Sequence, residues 1–439
     1  MNFVNLISLG CPKNQVDSEY MAGIISKNND YKIIDDPEQA QVIIINTCGF
    51  IEDAKEESID TIIEAGKYKN NMKCEALIVT GCLTQRYQDT ILDEMPEVDA
   101  ILGTGNFDDI IEIMKKVLNG HRINHIGDPN FNYRHSLPRQ LTTSHYSYVK
   151  IAEGCNNNCS YCVIPEIRGA VNSRTIEDVY QEVSQLGKNG VKEIILVAQD
   201  ITQYGIDIYN QSALVPLLKK LVTIDSISWI RLLYGYPERI TPELIDIIKK
   251  EPQICNYIDL PVQHSSNKIR NLMDRKGNRN EIVKVLKNLK NNIPDISLRT
   301  SLIVGFPGET KKDFNDLKRF VQEIQFDRLG VFQYSREEGT KAAELPNQVN
   351  EEIKEKRYNQ LMQIQQDISL TNNKKLIGKK LMVIIDEVYQ EYAVGRTQYD
   401  APEIDNQVII YDTGLNQGDI INCKIKEAYE YDLIGEKIS

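Results

Sequence analysis

Cys155-Asn156-Asn157-Asn158-Cys159-Ser160-Tyr161-Cys162 sets three thiols within eight residues, directly after the apolar run Tyr148-Val149-Lys150-Ile151-Ala152. The run reads as a strand and the thiols as a loop at its end. A 4Fe-4S cluster takes four cysteine thiolates. This loop offers three and continues as Val163-Ile164-Pro165, so one iron is left open to an outside ligand. Other uses of the thiols fit less well. Structural zinc favours CxxC pairs that come in twos, and the chain supplies no matching second pair. A disulfide needs an oxidising compartment, and buried cysteines that act as small hydrophobes need no such spacing.

Downstream of the loop, strand-like runs recur at 193–197, 229–233, 257–260, 297–304 and 329–332, separated by helical segments. With 148–152 they make six βα units, an incomplete barrel rather than the eight units of a closed one. Its open side admits a macromolecule. Reactive groups of such barrels sit at the carboxyl ends of the strands, where the chain places Gln199-Asp200, Tyr234, Gln263-His264 and the loop Gly305 to Thr310. The two glycines of that loop serve equally well to turn the chain into the next helix, since it matches no phosphate-binding loop.

Upstream, apolar runs at 3–9, 42–45, 76–79 and 98–102 alternate with helix-like segments at 17–26, 51–68, 85–94 and 108–118, the pattern of an open parallel α/β sheet. Each of the first three runs is followed by a cysteine, in Gly10-Cys11-Pro12, Thr47-Cys48-Gly49 and Gly81-Cys82-Leu83. Ligands of such sheets bind beyond the carboxyl ends of the strands, so Cys11, Cys48 and Cys82 are expected to meet at one edge as a second three-thiol site. Cys74, Cys255 and Cys423 are left as plain thiols.

The CxxxCxxC spacing, with Tyr161 before the third cysteine, resembles the signature of radical S-adenosylmethionine (SAM) enzymes. That resemblance implies a cluster whose open iron chelates SAM and releases a 5'-deoxyadenosyl radical able to abstract hydrogen from carbon. A three-cysteine α/β domain ahead of such a barrel resembles the methylthiotransferase family, which converts C–H to C–S–CH3 with two 4Fe-4S clusters. Ser8-Leu-Gly-Cys-Pro-Lys-Asn-Gln-Val-Asp-Ser-Glu19 and Asn46-Thr-Cys-Gly-Phe-Ile-Glu-Asp-Ala-Lys-Glu-Glu-Ser58 resemble the branch that modifies an aspartate of small-subunit ribosomal protein twelve. The branch acting on isopentenyl-adenosine in transfer RNA tends to carry Gly-Cys-Gln-Met-Asn instead. The resemblance implies catalytic roles for Cys155, Cys159 and Cys162, and an auxiliary cluster on Cys11, Cys48 and Cys82. It also implies a ribosomal-protein substrate with possible ribosome contact, and an electron donor such as flavodoxin or ferredoxin. Tyr161, Gln199, Arg299 and Ser301 are the candidate SAM contacts, Arg299 because its planar fork suits a carboxylate.

The fold class expected is therefore α/β: an N-terminal open parallel sheet domain over 1–120, a linker over 121–140, a partial (β/α)6 radical SAM barrel over 141–372, and a small antiparallel barrel over 374–439. The linker is assigned because 121–146 is polar, carries Pro129 and Pro138, and shows no clear period. His121 and His125 in it lack companions at zinc spacing. A long polar helix at 351–375, with Tyr358, Leu361 and Ile364 on one face, is expected to dock on the central barrel. The last segment changes to short runs at 380–386, 392–396, 408–411 and 420–428 split by turns. Its position and pattern resemble the TRAM domain, an OB-like module.

The 439 residues carry a formal net charge of -12, which argues against broad nonspecific attraction to nucleic acid and leaves room for a local basic face. From Lys374 onward 8 basic residues stand against 12 acidic ones, a poor RNA platform. Acids such as Asp386, Glu387, Asp400 and Asp405 are expected to attract a basic protein instead. No run approaches the 18 apolar residues of a membrane helix and the amino terminus lacks a basic region, so a soluble cytoplasmic protein is expected. Two rival functions stand beside the leading one: the same chemistry on transfer RNA, and a noncatalytic iron-sulfur sensor that docks through its terminal barrel.

Overall fold

The computed structural model describes residues 1–129, 135–412 and 414–438. Its first unit is a parallel sheet ordered β2-β1-β3-β4-β5-β6, from β1 (Asn2–Ser8), β2 (Tyr31–Ile33), β3 (Val42–Thr47), β4 (Ala76–Gly81), β5 (Ala100–Leu102) and β6 (Ile123–His125). The central strands β3 and β4 are buried along their whole length, as parallel strands covered on both faces must be. Ile43 and Ile45 join one core with Ile62 and Ala65, while Val42 and Ile44 join another with Val16, Tyr20 and Met21 of the helix Pro12–Ser26.

The sheet extends into the expected linker. Ile123–His125 pairs in parallel with β5, and His125 Nε2 lies 2.7 Å from Asp109 Oδ2. The apolar signal there is only one isoleucine, too weak to read as a strand without its partner. Part of the linker, 130–134, lies outside the described residues. From residue 135 the chain runs as a strap between the first two units: Arg139 bridges Glu19 of the first and Glu182 of the second, and its Nη2 donates to the Tyr148 carbonyl at 2.7 Å. The helix expected over 85–94 is split at Gln88, which has φ 43°, into Cys82–Tyr87 and Asp89–Glu94.

The second unit contains β7 (Tyr146–Lys150), a two-residue ladder of β8 (Ala152–Glu153) with β9 (Asn172–Ser173), then β10 (Glu193–Val197), β11 (Trp229–Leu232), β12 (Ile254–Asp259), β13 (Ser297–Val304) and β14 (Arg328–Gln333). Its parallel sheet runs β14-β13-β12-β11-β10-β7 without closing, the expected six-stranded partial barrel. Side chains alternate across it. Leu298, Leu302 and Val304 pack outward on the helices, whereas Arg299, Ser301 and Ile303 point to the other face.

The helix Glu351–Lys374 packs Leu361 into the barrel core and then reaches the third unit, where Ser369 and Asn373 donate to the Glu430 carbonyl. That unit is a closed five-stranded barrel, β15 (Lys380–Val388), β16 (Ala393–Thr397), β17 (Gln407–Ile410), β18 (Ile420–Ala428) and β19 (Asp432–Lys437). Its pairings are antiparallel except β17 with β19. The fifth strand escapes the sequence reading because Gly435 interrupts its apolar alternation.

The terminal barrel is not a free acidic surface. Its segment from Thr397 to Asn406 enters the base of the central barrel. Arg328 Nε meets Asp400 Oδ1 at 2.8 Å, Tyr257 donates to Asp405 at 2.7 Å, Tyr146 donates to Glu403 at 3.0 Å, and Arg299 lies 3.4 Å from Asp405. Asp386 is held by Arg396 and His145. Of the four acids expected to recognise a basic partner, Asp386, Asp400 and Asp405 are spent inside the molecule, and Glu387 is exposed.

Candidate active site

Strands β1, β3 and β4 are consecutive neighbours in the first sheet, with Ser8 opposite Asn46 and Thr47 opposite Gly81. Adjacent strands lie about 4.8 Å apart, so the loops carrying Cys11, Cys48 and Cys82 leave the same edge side by side. Glycines let them approach. A Cβ on Gly10 would sit 2.7 Å from Cys48 Cβ, and one on Gly81 would sit 2.5 Å from the Thr47 carbonyl oxygen. Asn14 ties the loops together by donating to the Leu9 and Thr47 carbonyls at 3.1 and 2.8 Å. Ser58 clasps Cys48, accepting its N–H at 3.1 Å and donating to its carbonyl at 2.9 Å.

The second triad sits between β8 and the helix Ile164–Arg168. Cys155 Sγ accepts the backbone and side-chain N–H groups of Asn157 at 3.4 and 3.3 Å, and Asn157 is anchored on Asp200 and Arg239. Cys159 Sγ lies 3.5 Å from the Tyr236 hydroxyl, and the Arg275 guanidinium covers that ring at 3.8 Å. The Arg275 Nε is buried and has no partner among the described residues.

Electrostatics separates these thiols from the rest. Burial pushes Cys48 up to about 12, and repulsion by Cys82 and Cys11 adds to it. Burial likewise pushes Cys162 up to about 12, with the Ile164 N–H working against it and Cys159 and Cys155 adding to it. Cys74, Cys255 and Cys423 are raised by burial too, to about 11, 12 and 11, but feel no other cysteine. Mutual repulsion marks the thiols that converge, and a bound cation relieves it by favouring thiolates. For Cys11, burial is outweighed by the charges of Lys13 and Arg168 and by backbone N–H groups of Asn14 and Lys13, which hold the thiol below its ordinary value.

All nine cysteines are free. Among the described residues no group of three His, Cys, Asp or Glu is placed to hold a single metal ion. Three soft thiol donors brought to one sheet edge, or set on one loop, suit a cluster, whose irons each take one thiolate.

The two triads meet through Arg168, six residues after Cys162. Its Nη1 pairs with Asp17 at 2.9 Å and Glu153 at 3.0 Å, and its Nη2 lies 3.3 Å from Cys82 Sγ and also bonds Asn14. Cys82 packs on Val163 and Ile167, the residues that follow the second triad. Sequence reading missed Arg168, Glu153 and Asn157 because the groups that anchor them, Asp17 and Cys82 for Arg168, Gln199 for Glu153, Asp200 and Arg239 for Asn157, lie far off in the chain.

The remaining expected residues fall in different places. Gln199 donates to Glu153 and leaves its Oε1 buried without a partner among the described residues. Tyr161 stands edge-on to Phe306, with ring centres 6.3 Å apart, in a small apolar cluster. Arg299 is engaged by Asp259 at 3.0 Å and by Asp405, and Ser301 shares its strand face. The Gly305–Thr310 loop closes on its own Glu309, which bonds the Gly305 N–H, and Thr310 caps the helix Lys311–Ile324. His264 is fully buried and accepts the Ser266 N–H at 2.9 Å. Tyr234 and Gln263, at strand ends, hold φ near 65° and 69°, backbone strain of the kind that clusters at functional sites.

Residues 149–321 match the Radical SAM superfamily, 4–103 the uncharacterized protein family UPF0004, and 377–438 the TRAM domain. The architecture and its matches thus define a radical SAM protein with a terminal TRAM domain. The chain is 49% identical over 436 residues to the ribosomal protein uS12 methylthiotransferase RimO of Clostridioides difficile (strain 630), covering 99% of this chain and 98% of that protein. It is also 49% identical over 441 residues to the RimO of Geobacter sulfurreducens, with the same coverage. The chain belongs to the ribosomal protein uS12 methylthiotransferase family. Among solved structures, the radical S-adenosylmethionine methyltransferase TsrM of Kitasatospora setae aligns with TM-score 0.55 at 12% identity over 76% of this chain and 75% of that one, a likeness of fold alone. No helix of the described residues is long and apolar enough to cross a membrane.

Proposed function

We propose that this chain is a radical SAM methylthiotransferase that replaces a hydrogen on the β-carbon of an aspartate in ribosomal protein uS12 with a methylthio group. Cys155, Cys159 and Cys162 would hold one 4Fe-4S cluster, and Cys11, Cys48 and Cys82 the other. When bound, SAM and the clusters supply one-electron chemistry for hydrogen abstraction and the methylthio group to be transferred. The observation that carries the reading is the junction: Cys82 packs against the segment leaving the second triad and touches Arg168 of that segment. A hydrogen-abstracting site and a sulfur-donating site must share one substrate carbon, and this packing supports such proximity.

The protein's own residues hold the arrangement. Asn157 directs two N–H groups at Cys155 and favours its thiolate. Glu153 gathers Lys150, Arg168 and Gln199 directly before Gly154-Cys155, which aligns the loop. Gln199, with its free Oε1, and Ser301 are the SAM contacts in this reading; Tyr161 acts by packing, and Arg299 by holding the terminal domain. An electron carrier such as flavodoxin or ferredoxin and a cytoplasmic, ribosome-associated substrate complete it. The relatives named for uS12 support a protein substrate over transfer RNA.

The test is mass spectrometry of purified uS12 after incubation with the reconstituted protein, SAM and a reductant. A methylthio group on aspartate is expected. Modified transfer RNA with unmodified uS12, or no SAM cleavage at all, overturns the reading.

A further inference from the structure

The junction between the triads contains an ammonium, Lys13, that pairs with no carboxylate among the described residues. Lys13 follows Cys11 by two residues, on the first turn of the helix Pro12–Ser26, and Pro12 at the first helical position fixes the backbone it leaves from. Its Nζ lies 4.2 Å from the centre of the Tyr234 ring, so it crosses from the edge of the first sheet to the carboxyl end of β11. Its charged neighbours are Cys11 on one side and Glu153 and Arg168 on the other.

Among the described residues no carboxylate stands within ion-pair distance of Lys13. Neighbouring cations are spent: Arg168 and Lys150 on Asp17 and Glu153, Arg239 on Asp200, Arg299 on Asp259 and Asp405. Lys13 thus stands against the Cys11 thiol and an aromatic face rather than a carboxylate, and an aromatic face offsets only part of the cost of burying a charge. The arrangement suits an anion that arrives from outside.

We propose that the Lys13 ammonium receives the side-chain carboxylate of the substrate aspartate and so selects an acidic peptide residue at the gap between the two thiol triads. The inference rests on the methylthiotransferase reading above. A carboxylate entering a partly desolvated site needs a cation, whereas a neutral nucleobase brings no charge for Lys13 to meet. An ammonium, a point charge with rotatable donors, accepts the carboxylate over a range of approach angles.

Binding decides it. Cluster-loaded wild type, K13M and K13R are titrated with uS12 and with uS12 carrying Asn in place of the target aspartate, and iron is measured in each. A charge-assisted contact predicts that wild type prefers Asp over Asn by about tenfold or more. K13M should lose most of that preference, and K13R should recover part of it. An unchanged Asp preference in K13M overturns the proposal. Loss of about half the iron in K13M, on the two-cluster count, also overturns it and assigns Lys13 to the Cys11 site. A wild type that neither binds nor modifies uS12 removes the substrate reading itself, and this assignment with it.

Discussion

Cys155, Cys159 and Cys162 lie on one loop, whereas Cys11, Cys48 and Cys82 come from three loops far apart in the chain. The first triad needs only local chain and the neighbours that orient it, Asn157 and Tyr236. The second exists only once β1, β3 and β4 are in register, and it depends on Gly10, Gly81 and Asn14 to let three loops pack. The difference separates a site written in spacing from a site written in topology, and the two should fail differently.

Removing either triad should give the largest effect. Changing Cys155, Cys159 and Cys162 to Ala should lower iron from about eight to about four per chain and abolish both SAM cleavage and product. Changing Cys11, Cys48 and Cys82 to Ala should lower iron equally, end methylthio transfer, and leave 5'-deoxyadenosine formation measurable by chromatography. Methylthiolated uS12 from the second variant would break the comparison.

A smaller effect is expected at the base of the central barrel. Asp400 is 1% exposed and pairs with Arg328 while accepting from Thr397 at 2.7 Å. Removing one partner of a buried pair costs about 3–5 kcal/mol, so Asp400→Ala should lower the urea midpoint and loosen the terminal barrel while iron on both triads is retained. Unchanged stability would show that the docking is not held by this pair.

The smallest effect concerns the strap between the first two units. Burial works against the Glu182 carboxylate, but Arg174 and Arg139 outweigh it and hold the carboxyl below its ordinary value. A depressed folded value adds stability above the unfolded value of about 4.3, and that stability is lost as pH falls through the folded value. The urea midpoint of the iron-free protein should therefore fall as the pH drops below about 4.3. In Glu182→Gln the midpoint should start lower and the slope should be shallower. Equal slopes would remove Glu182 from the strap.

The sequence by itself pointed to the six cysteines and determined the order of three units and the open six-stranded barrel, because periodicity, turn residues and thiol spacing act over a few residues. It also made Gly10, Gly49 and Gly81 visible beside their cysteines, although not why they stand there. Only the tertiary structure decided that Ile123–His125 is a strand, since so short a segment is stable only beside β5. It alone turned Asp386, Asp400 and Asp405 from surface acids into internal partners of arginines and histidine. It alone brought Arg168 to Cys82 and set Lys13 over Tyr234. A side chain's charge can be read from its letter, but what satisfies that charge depends on groups distant in the chain, and only the packed fold brings them within reach.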